Sequence, residues 1–352
     1  MNIHVDQAAS PLLRTRSRSL KAVVALALAG LIFQAPVAAR AQEAPEVAVS
    51  VKPLHALVSA VMLGVGVPKL IVGGSASAHT YSLKPSNARD LQAAKLVFWL
   101  GPNFEHFLTE PLESLSSNAT VVALDDTPGL VMLPFREGGA FEADEHGHED
   151  EAGHDHAGEA AHDDHAAEAA HDDQADHGGA KDLHFWLDPR NADLMVEQIR
   201  QALSAADPAH ATQYDANAKA LEANLIALDA ELQVNLAPLK DKPFVVFHDA
   251  YQYFEKRYGL RVVGSITVSP ETPPGAERVR EIHDKIQSLG ATCVFSEPQF
   301  EPKLVSVVME GSKAKAGTLD PEGSTLPEGP DLYFKLMRGL ATSLTDCLGG
   351  KS

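Results

Sequence analysis

Histidine and acidic residues crowd one stretch of this chain, residues 137–182, where few apolar side chains remain. Imidazole suits borderline divalent metals, and zinc is the commonest of them in proteins, so this composition indicates metal handling. The stretch has no apolar face with which to pack, so we expect a disordered insertion that binds zinc only weakly. The alternative is an inert, solvated acidic segment. Its histidines are His146, His148, His154, His156, His162, His165, His171 and His177.

Three isolated histidines have a different setting. His79 lies in a loop after a predicted strand, His184 opens the segment HFWLDP, and His248 ends the strand FVVFH. Ligands of open parallel sheets bind beyond the carboxyl ends of the strands, where loops converge. Asp320, after the short strand GTL, is a weaker fourth candidate by the same reasoning. Three imidazoles with a carboxylate or water form a tetrahedral zinc set, although a lone histidine is more often structural.

The other histidines show no such pattern. His106, His210 and His283 fall in helical stretches among polar neighbours, and we interpret them as solvated. His55 follows the first strand, so it belongs either to a site between lobes or to polar surface.

Short β-branched runs alternate with helical stretches along the chain, which predicts α/β lobes with parallel sheets and right-handed crossovers. Strands are predicted at 47–52, 69–72, 96–100, 120–124, 244–247, 261–266, 292–295 and 317–319. Helices are predicted from Ser86 as N-cap, and over 103–115, 191–205, 208–236 and 275–289.

The helix that starts at Pro208 is long enough, at about 45 Å, to span a whole domain. Leu221, Leu225, Leu228 and Leu232 give it one apolar face. The predicted organisation is therefore an N-terminal lobe over 42–207, a long linking helix over 208–240 and a C-terminal lobe over 241–352. Such a helix favours small rigid-body tilts over wide hinge closure.

Bulk composition excludes some classes of function. The chain has 352 residues, 45% of them hydrophobic, which is enough for two packed domains. Most of the net charge of −19 lies in the insertion, where sixteen Asp and Glu face one Lys. The rest is nearly neutral, so no basic nucleic-acid-binding face is expected.

The N-terminus is typical of a secretory signal peptide. Basic residues precede an apolar run at 22–33, and Ala39 and Ala41 form an A-x-A motif. We predict a signal peptide over 1–41, cleavage before Gln42 and a periplasmic location. A retained membrane anchor is the alternative, although the run is short for a span.

Cys293 and Cys347 are the chain's two cysteines. In an oxidising compartment we expect them to pair, the alternative being two free buried thiols. Closure of a loop of this size would stabilise the fold by about 4 kcal/mol on the chain-entropy model.

The strings HTYSLKPS, HFWLDP, FVVFHDAYQYFEKRYGL, CVFSEPQF and GTLDPEG occur in order along the chain. Together they resemble the ZnuA-type periplasmic zinc-binding proteins of ABC transporters, within the cluster A-I family. The resemblance covers residues 47–348, including the acidic histidine-rich insertion. It implies two α/β lobes joined by one long rigid helix, with a metal site between the lobes. It also implies that His79, His184 and His248 bind zinc and that the two cysteines pair.

This sequence departs from the family pattern at two positions. Ala78 stands where some relatives carry an acidic residue, which leaves water or Asp320 as the fourth ligand. Glu322 stands where leucine is commoner. An all-histidine site also predicts zinc affinity that falls steeply below about pH 6, because protons compete for imidazole.

The partners implied by the resemblance are a membrane permease and, through it, an ATPase; we expect a monomer that is not an enzyme. One alternative is a periplasmic zinc buffer or chaperone without a transporter. Another is a manganese-type binding protein, although His248 replaces the carboxylate that manganese favours. A zinc hydrolase would need a general base, for which Glu297 is the candidate, and the sequence lacks an HExxH motif.

Overall fold

The computed structural model describes residues 43–136, 141, 181–267, 270, 274–288, 290–300 and 303–350. The predicted signal peptide, its cleavage point and all eight histidines of the insertion lie outside these residues. Within the described part of the chain, no helix combines the length and the apolar character needed to cross a membrane.

The first lobe is built on a four-stranded parallel sheet with strand order β2-β1-β3-β4. The central strands, VAV and LVFW, are completely buried, as expected where helices cover both faces of a parallel sheet. The strands are β1 (Val47–Val49), β2 (Lys69–Leu70), β3 (Leu96–Trp99) and β4 (Thr120–Ala123). The helices are α1 (Lys52–Val61), α2 (Pro85–Ala93), α3 (His106–Leu115) and α4 (Pro189–Ala206).

The long helix α5 (Ala211–Leu236) follows, flanked by the 3-10 turns Pro208–His210 and Ala237–Leu239. Its 26 residues span about 39 Å. The four predicted leucines, 221, 225, 228 and 232, are all buried, so the helical periodicity of the sequence is confirmed.

A second four-stranded parallel sheet, with strand order β6-β5-β7-β8, forms the second lobe. Its strands are β5 (Pro243–His248), β6 (Arg261–Thr267), β7 (Cys293–Ser296) and β8 (Lys315–Thr318). Its helices are α6 (Gln252–Tyr258), α7 (Ala276–Ser288), α8 (Lys303–Met309) and α9 (Leu332–Leu348). Helix α5 packs on α1 and α4 of the first lobe and on α6 and α9 of the second.

The predicted disulfide is present and joins Cys293, at the start of β7, to Cys347, near the end of α9. No free cysteine remains. The bridge therefore ties the C-terminal helix to the second sheet.

Local structure differs from the sequence prediction at several positions. Helices α6, α8 and α9 are not among the predicted helices. The helix predicted to be capped by Ser86 begins at Pro85, whose fixed φ suits the first helical position. His55 lies on α1, a helix that the sequence analysis missed because the chain enters it directly after β1. Asp182, assigned from sequence to the insertion, is completely buried and donates its backbone N–H to Leu133.

Candidate metal centre

His79, His184 and His248 converge between the two lobes, although 105 and 64 residues separate them along the chain. His79 lies in the 3-10 turn Ala78–Thr80 after β2, and His248 is the last residue of β5. His184 immediately precedes the 3-10 turn Phe185–Leu187. One ligand atom from each residue falls within 4.8 Å of the others. The Nε2 of His184 is 3.3 Å from the Nε2 of His79 and 3.3 Å from that of His248.

Buried carboxylates fix which nitrogen of two of these rings carries the proton. His184 Nδ1 lies 2.8 Å from Asp182 Oδ1, which also accepts the backbone N–H of His184. His248 Nδ1 lies 2.7 Å from Glu297 Oε1, which also accepts the hydroxyl of Tyr251. Both Nδ1 atoms therefore donate, and the lone pairs of both Nε2 atoms face the centre of the group.

This arrangement suits a tetrahedral cation. Two Nε2 lone pairs held 3.3 Å apart repel each other unless a positive charge lies between them. A tetrahedral zinc ion with Zn–N bonds of about 2.0–2.1 Å separates its ligand nitrogens by about 3.3–3.4 Å. Both Nε2–Nε2 distances from His184 therefore match an edge of a zinc tetrahedron, and a three-imidazole set leaves one corner for another ligand.

Aromatic rings close the first-lobe side of the site. The Phe104 ring centroid lies 4.8 Å from that of His79 and 5.5 Å from that of His184, in edge contacts. Trp186 packs against both Phe104 and His184. The turn that carries Phe104 is held by Glu105, whose carboxylate accepts the N–H groups of residues 100 and 101. These rings limit the approach of water and further ligands from this side.

The structure does not bring Asp320 into the histidine group. Its two carboxylate oxygens accept hydrogen bonds from the backbone and hydroxyl groups of Ser324 and Thr325, within its own loop. His55 also lies elsewhere: it is buried on α1, with its Nε2 3.1 Å from the carbonyl of Pro68.

The histidines predicted to be solvated lie outside the site. His106 is exposed at the start of α3, while His210 and His283 are partly exposed. His210 pairs with Asp207 at the turn before α5.

Sequence reasoning missed the orienting roles of Asp182 and Glu297. Asp182 stands two residues before His184, but the acidic insertion that precedes it masked this signal. Glu297, which the sequence offered only as the general base of a hydrolase, contacts Nδ1 of His248. Glu322 reaches the turn before His79, where it accepts hydrogen bonds from Ser77 and Ala78.

Burial and charge separate the proton affinities of the three imidazoles. Burial, reinforced by the neighbouring imidazoles, lowers the pKa of His79 and His184 well below the usual value. Burial also acts to lower the pKa of His248, but the charge of Glu297 and its hydrogen bond outweigh that effect and raise the pKa. His248 is therefore the first of the three to take up a proton as the pH falls.

We expect the pH dependence of zinc affinity to have two stages. Near and just below the ordinary histidine pKa of about 6.5, His248 is the imidazole from which a metal ion displaces a proton, so the imidazoles together lower log K by about one per pH unit. The slope steepens only at lower pH, where His79 and His184 become protonated. Calorimetric zinc titration in buffers of different ionisation enthalpy counts the displaced protons.

Glu297→Gln provides the control for this pH dependence. Loss of the carboxylate charge lowers the pKa of His248, so the first stage should move to lower pH. A first stage at the same pH in Glu297→Gln as in the wild type would contradict the assignment.

Two α/β lobes with two buried imidazoles and one partly exposed imidazole between them define a class of protein whose interlobe cleft could hold one metal ion. The chain belongs to the family described as zinc-uptake complex component A, periplasmic, whose model matches residues 47–347.

Curated relatives include the high-affinity zinc uptake system protein ZnuA of Brucella abortus (strain 2308). It is 58% identical over 318 residues, which are 88% of this chain and 93% of the relative. The ZnuA of Paracoccus denitrificans (strain Pd 1222) is 40% identical over 92% of this chain and 98% of its own. A solved structure described as the crystal structure of ZnuA superposes with a TM-score of 0.69 at 23% identity, over 87% of this chain and 99% of that chain. At this sequence identity, the superposition supports only the similarity of the fold.

Proposed function

We propose that this chain is exported to the periplasm, captures Zn²⁺ with His79, His184 and His248, and delivers it to an ABC-type permease driven by an ATPase. Water completes the tetrahedron, with Asp320 the second candidate because its oxygens are engaged within its own loop. The histidines of the insertion serve as accessory weak sites that raise the local zinc concentration.

The observation that carries this proposal is the pair of 3.3 Å Nε2–Nε2 distances that join His184 to His79 and to His248, with the Nδ1 atoms of His184 and His248 donating to carboxylates. Such carboxylate–histidine pairs raise the basicity of the ligand and fix the ring for the metal. Membership of a zinc-uptake family supports the same ion. The site needs no chemical step, only tight and reversible binding.

The donor set favours zinc over manganese. Three imidazole nitrogens suit zinc and copper, whereas manganese prefers oxygen donors, and the carboxylates here bind imidazole rather than face the centre. Copper(II) binds such a set more tightly than zinc, so selectivity in the cell rests on metal availability and on the permease.

Nearby carboxylates offset the charge of the bound ion. Burial raises the pKa of Asp182 and of Glu322 to about 7 each. A dication within the group favours the ionised form of both, so metal binding and the release of these protons are coupled.

A zinc buffer without a transporter is the second candidate, because the same geometry would serve it. A genetic test separates the two. In a Brucella host that lacks its own zinc-binding protein but keeps its permease and ATPase, this chain should restore growth when a chelator limits zinc. The readouts are the growth rate and the cell-associated zinc.

Two comparison strains make the outcome decisive. The exported His184→Ala variant should fail to restore growth, and the wild-type chain should fail in a host that also lacks the permease. Rescue without the permease would favour a buffer. Failure of the exported, zinc-loaded wild type in the first host would contradict delivery to the permease.

A further inference from the structure

The loop that follows β8 in the second lobe contacts the turn that carries His79 in the first. Glu322, in this loop, is only 6% exposed. Its Oε1 accepts the hydroxyl of Ser77 at 3.1 Å, and its Oε2 accepts the backbone N–H of Ala78 at 3.2 Å. The Ser77 hydroxyl oxygen in turn accepts the backbone N–H of His79 at 3.3 Å. A continuous chain of hydrogen bonds therefore runs from the second lobe to the backbone of His79.

The loop itself is anchored at two further points on the first-lobe side. Lys52, buried at the start of α1, donates its ammonium group to the carbonyl of Ser324 at 2.7 Å and to that of Leu326 at 3.0 Å. Trp186 Nε1 donates to the carbonyl of Pro321 at 3.0 Å. Glu322 thus extends from a segment whose backbone is fixed on both of its sides.

His79 is held differently from the other two histidines. His184 and His248 are oriented by carboxylates at Nδ1 and are 5% and 1% exposed. His79 is more exposed, and it belongs to a single 3-10 turn that Ser77 caps. A turn of this length has little stability of its own, so contacts to its backbone help to place the imidazole of His79.

We infer that Glu322 is a positioning residue for His79, and that its two hydrogen bonds across the lobe boundary control how fast zinc leaves. This inference rests on the proposed zinc function. While both bonds hold, the turn presents His79 at the spacing the tetrahedron requires. A displacement of about 1 Å of this loop relative to the turn lengthens these bonds beyond hydrogen-bonding range. His79 then withdraws, and two protein ligands remain.

Two substitutions separate the contributions of charge and hydrogen bonding. Glu322→Leu removes both acceptors and leaves the Ala78 N–H buried without a partner. Glu322→Gln keeps the size and one acceptor. We expect zinc to dissociate about 10- to 100-fold faster from the leucine variant, because residues that orient a metal ligand typically contribute that factor to metal affinity. The acceleration should be smaller in the glutamine variant. The association rate should stay unchanged, because the approach path is intact.

The measurement is stopped-flow transfer of zinc from the full-length protein to a fluorescent chelator. Glu328→Gln, an exposed acid later in the same loop region, is the matched control and should release zinc as the wild type does. In a double-mutant cycle, the effects of Ser77→Ala and Glu322→Gln on the dissociation rate should be less than additive, because the two side chains share one hydrogen bond. If Glu322 had a purely structural role, its substitution would lower the melting temperature, and the dissociation rate would show no coupling to Ser77.

His79→Ala separates failure of this inference from failure of the proposed function. If His79→Ala accelerates release but both folded Glu322 variants release zinc at the wild-type rate, the positioning role is overturned. If the leucine variant does not fold, the glutamine and Ser77→Ala arms decide alone. If His79→Ala itself leaves release unchanged, the ligand assignment fails, and the inference fails with it.

Discussion

Replacement of His184 or His248 by alanine should weaken zinc binding at the tight site by more than about 100-fold. Loss of a residue that merely orients a zinc ligand lowers zinc affinity about 10- to 100-fold. Loss of the ligand itself should lower it further, because a metal–nitrogen bond is removed. His184→Ala also leaves the buried carboxylate of Asp182 without its ring partner. The measurement is zinc titration in competition with a chelator strong enough to mask the weak sites of the insertion.

The three ligands should not be equivalent. His184 and His248 are almost completely buried, so water cannot easily replace their imidazoles. His79 is partly exposed, and water could take its position. We therefore expect a smaller loss of affinity for His79→Ala. The exposed His106, outside the site, provides the control: His106→Ala should bind zinc as the wild type does. Equal and undiminished affinity in all three ligand variants would contradict the site.

The second large effect concerns stability rather than binding. Opening the bridge between Cys293 and Cys347, by Cys347→Ser alone or with Cys293→Ala, should lower the free energy of unfolding by about 4 kcal/mol. The sequence separation of 54 residues sets that value on the chain-entropy model, within the usual range of about 2–5 kcal/mol. Denaturant unfolding of the zinc-free protein measures the loss.

Zinc affinity should change little in the same variants. Cys293 pairs with Phe244 at the beginning of β5, whereas His248 ends that strand, about 13 Å away along the sheet. The single and double cysteine variants should be equally destabilised, because either one opens the loop. A loss below about 1 kcal/mol would mean that the bridge adds little beyond the packing of α9.

Much of the fold could be predicted from local sequence patterns. All eight strands of the described residues were predicted, because most of them lie in short β-branched or aromatic runs between turns. The leucine stripe of α5 also predicted a long helix. Four helices of the described residues were missed. One of them, α9, has a clear apolar face that sequence reasoning overlooked, and the other three have weaker patterns. Helix α1 follows β1 without a turn, and α6 and α8 have seven residues each, too few for a clear periodicity.

The candidate site was only partly visible in the sequence. The positions of His79 and His248 after strands indicated which ends of the sheets they occupy, but spacing alone does not show that residues of two lobes meet. That expectation came from the family resemblance. The pairing of His248 with Glu297 depends on β5 and β7 being neighbours, since both residues stand at the carboxyl ends of these strands. Adjacency of this kind is a property of topology, not of local composition.

The contact between Glu322 and the turn before His79 lay beyond sequence reasoning for the same reason. The two segments are 244 and 245 residues apart and belong to different lobes. The sequence indicated only that Glu322 stands where leucine is commoner in the family. The structure shows that its carboxylate accepts hydrogen bonds from the hydroxyl of Ser77 and the backbone N–H of Ala78. Local sequence patterns therefore carry the least information about contacts that form between the two lobes.

The most direct test of the account is anomalous diffraction at the zinc edge from crystals of the full chain loaded with equimolar zinc. The strongest peak should lie about 2.0–2.1 Å from the Nε2 atoms of His79, His184 and His248, with a water or Asp320 at the fourth corner. A strongest peak elsewhere, or one bound by fewer than three of these imidazoles, would contradict the central claim.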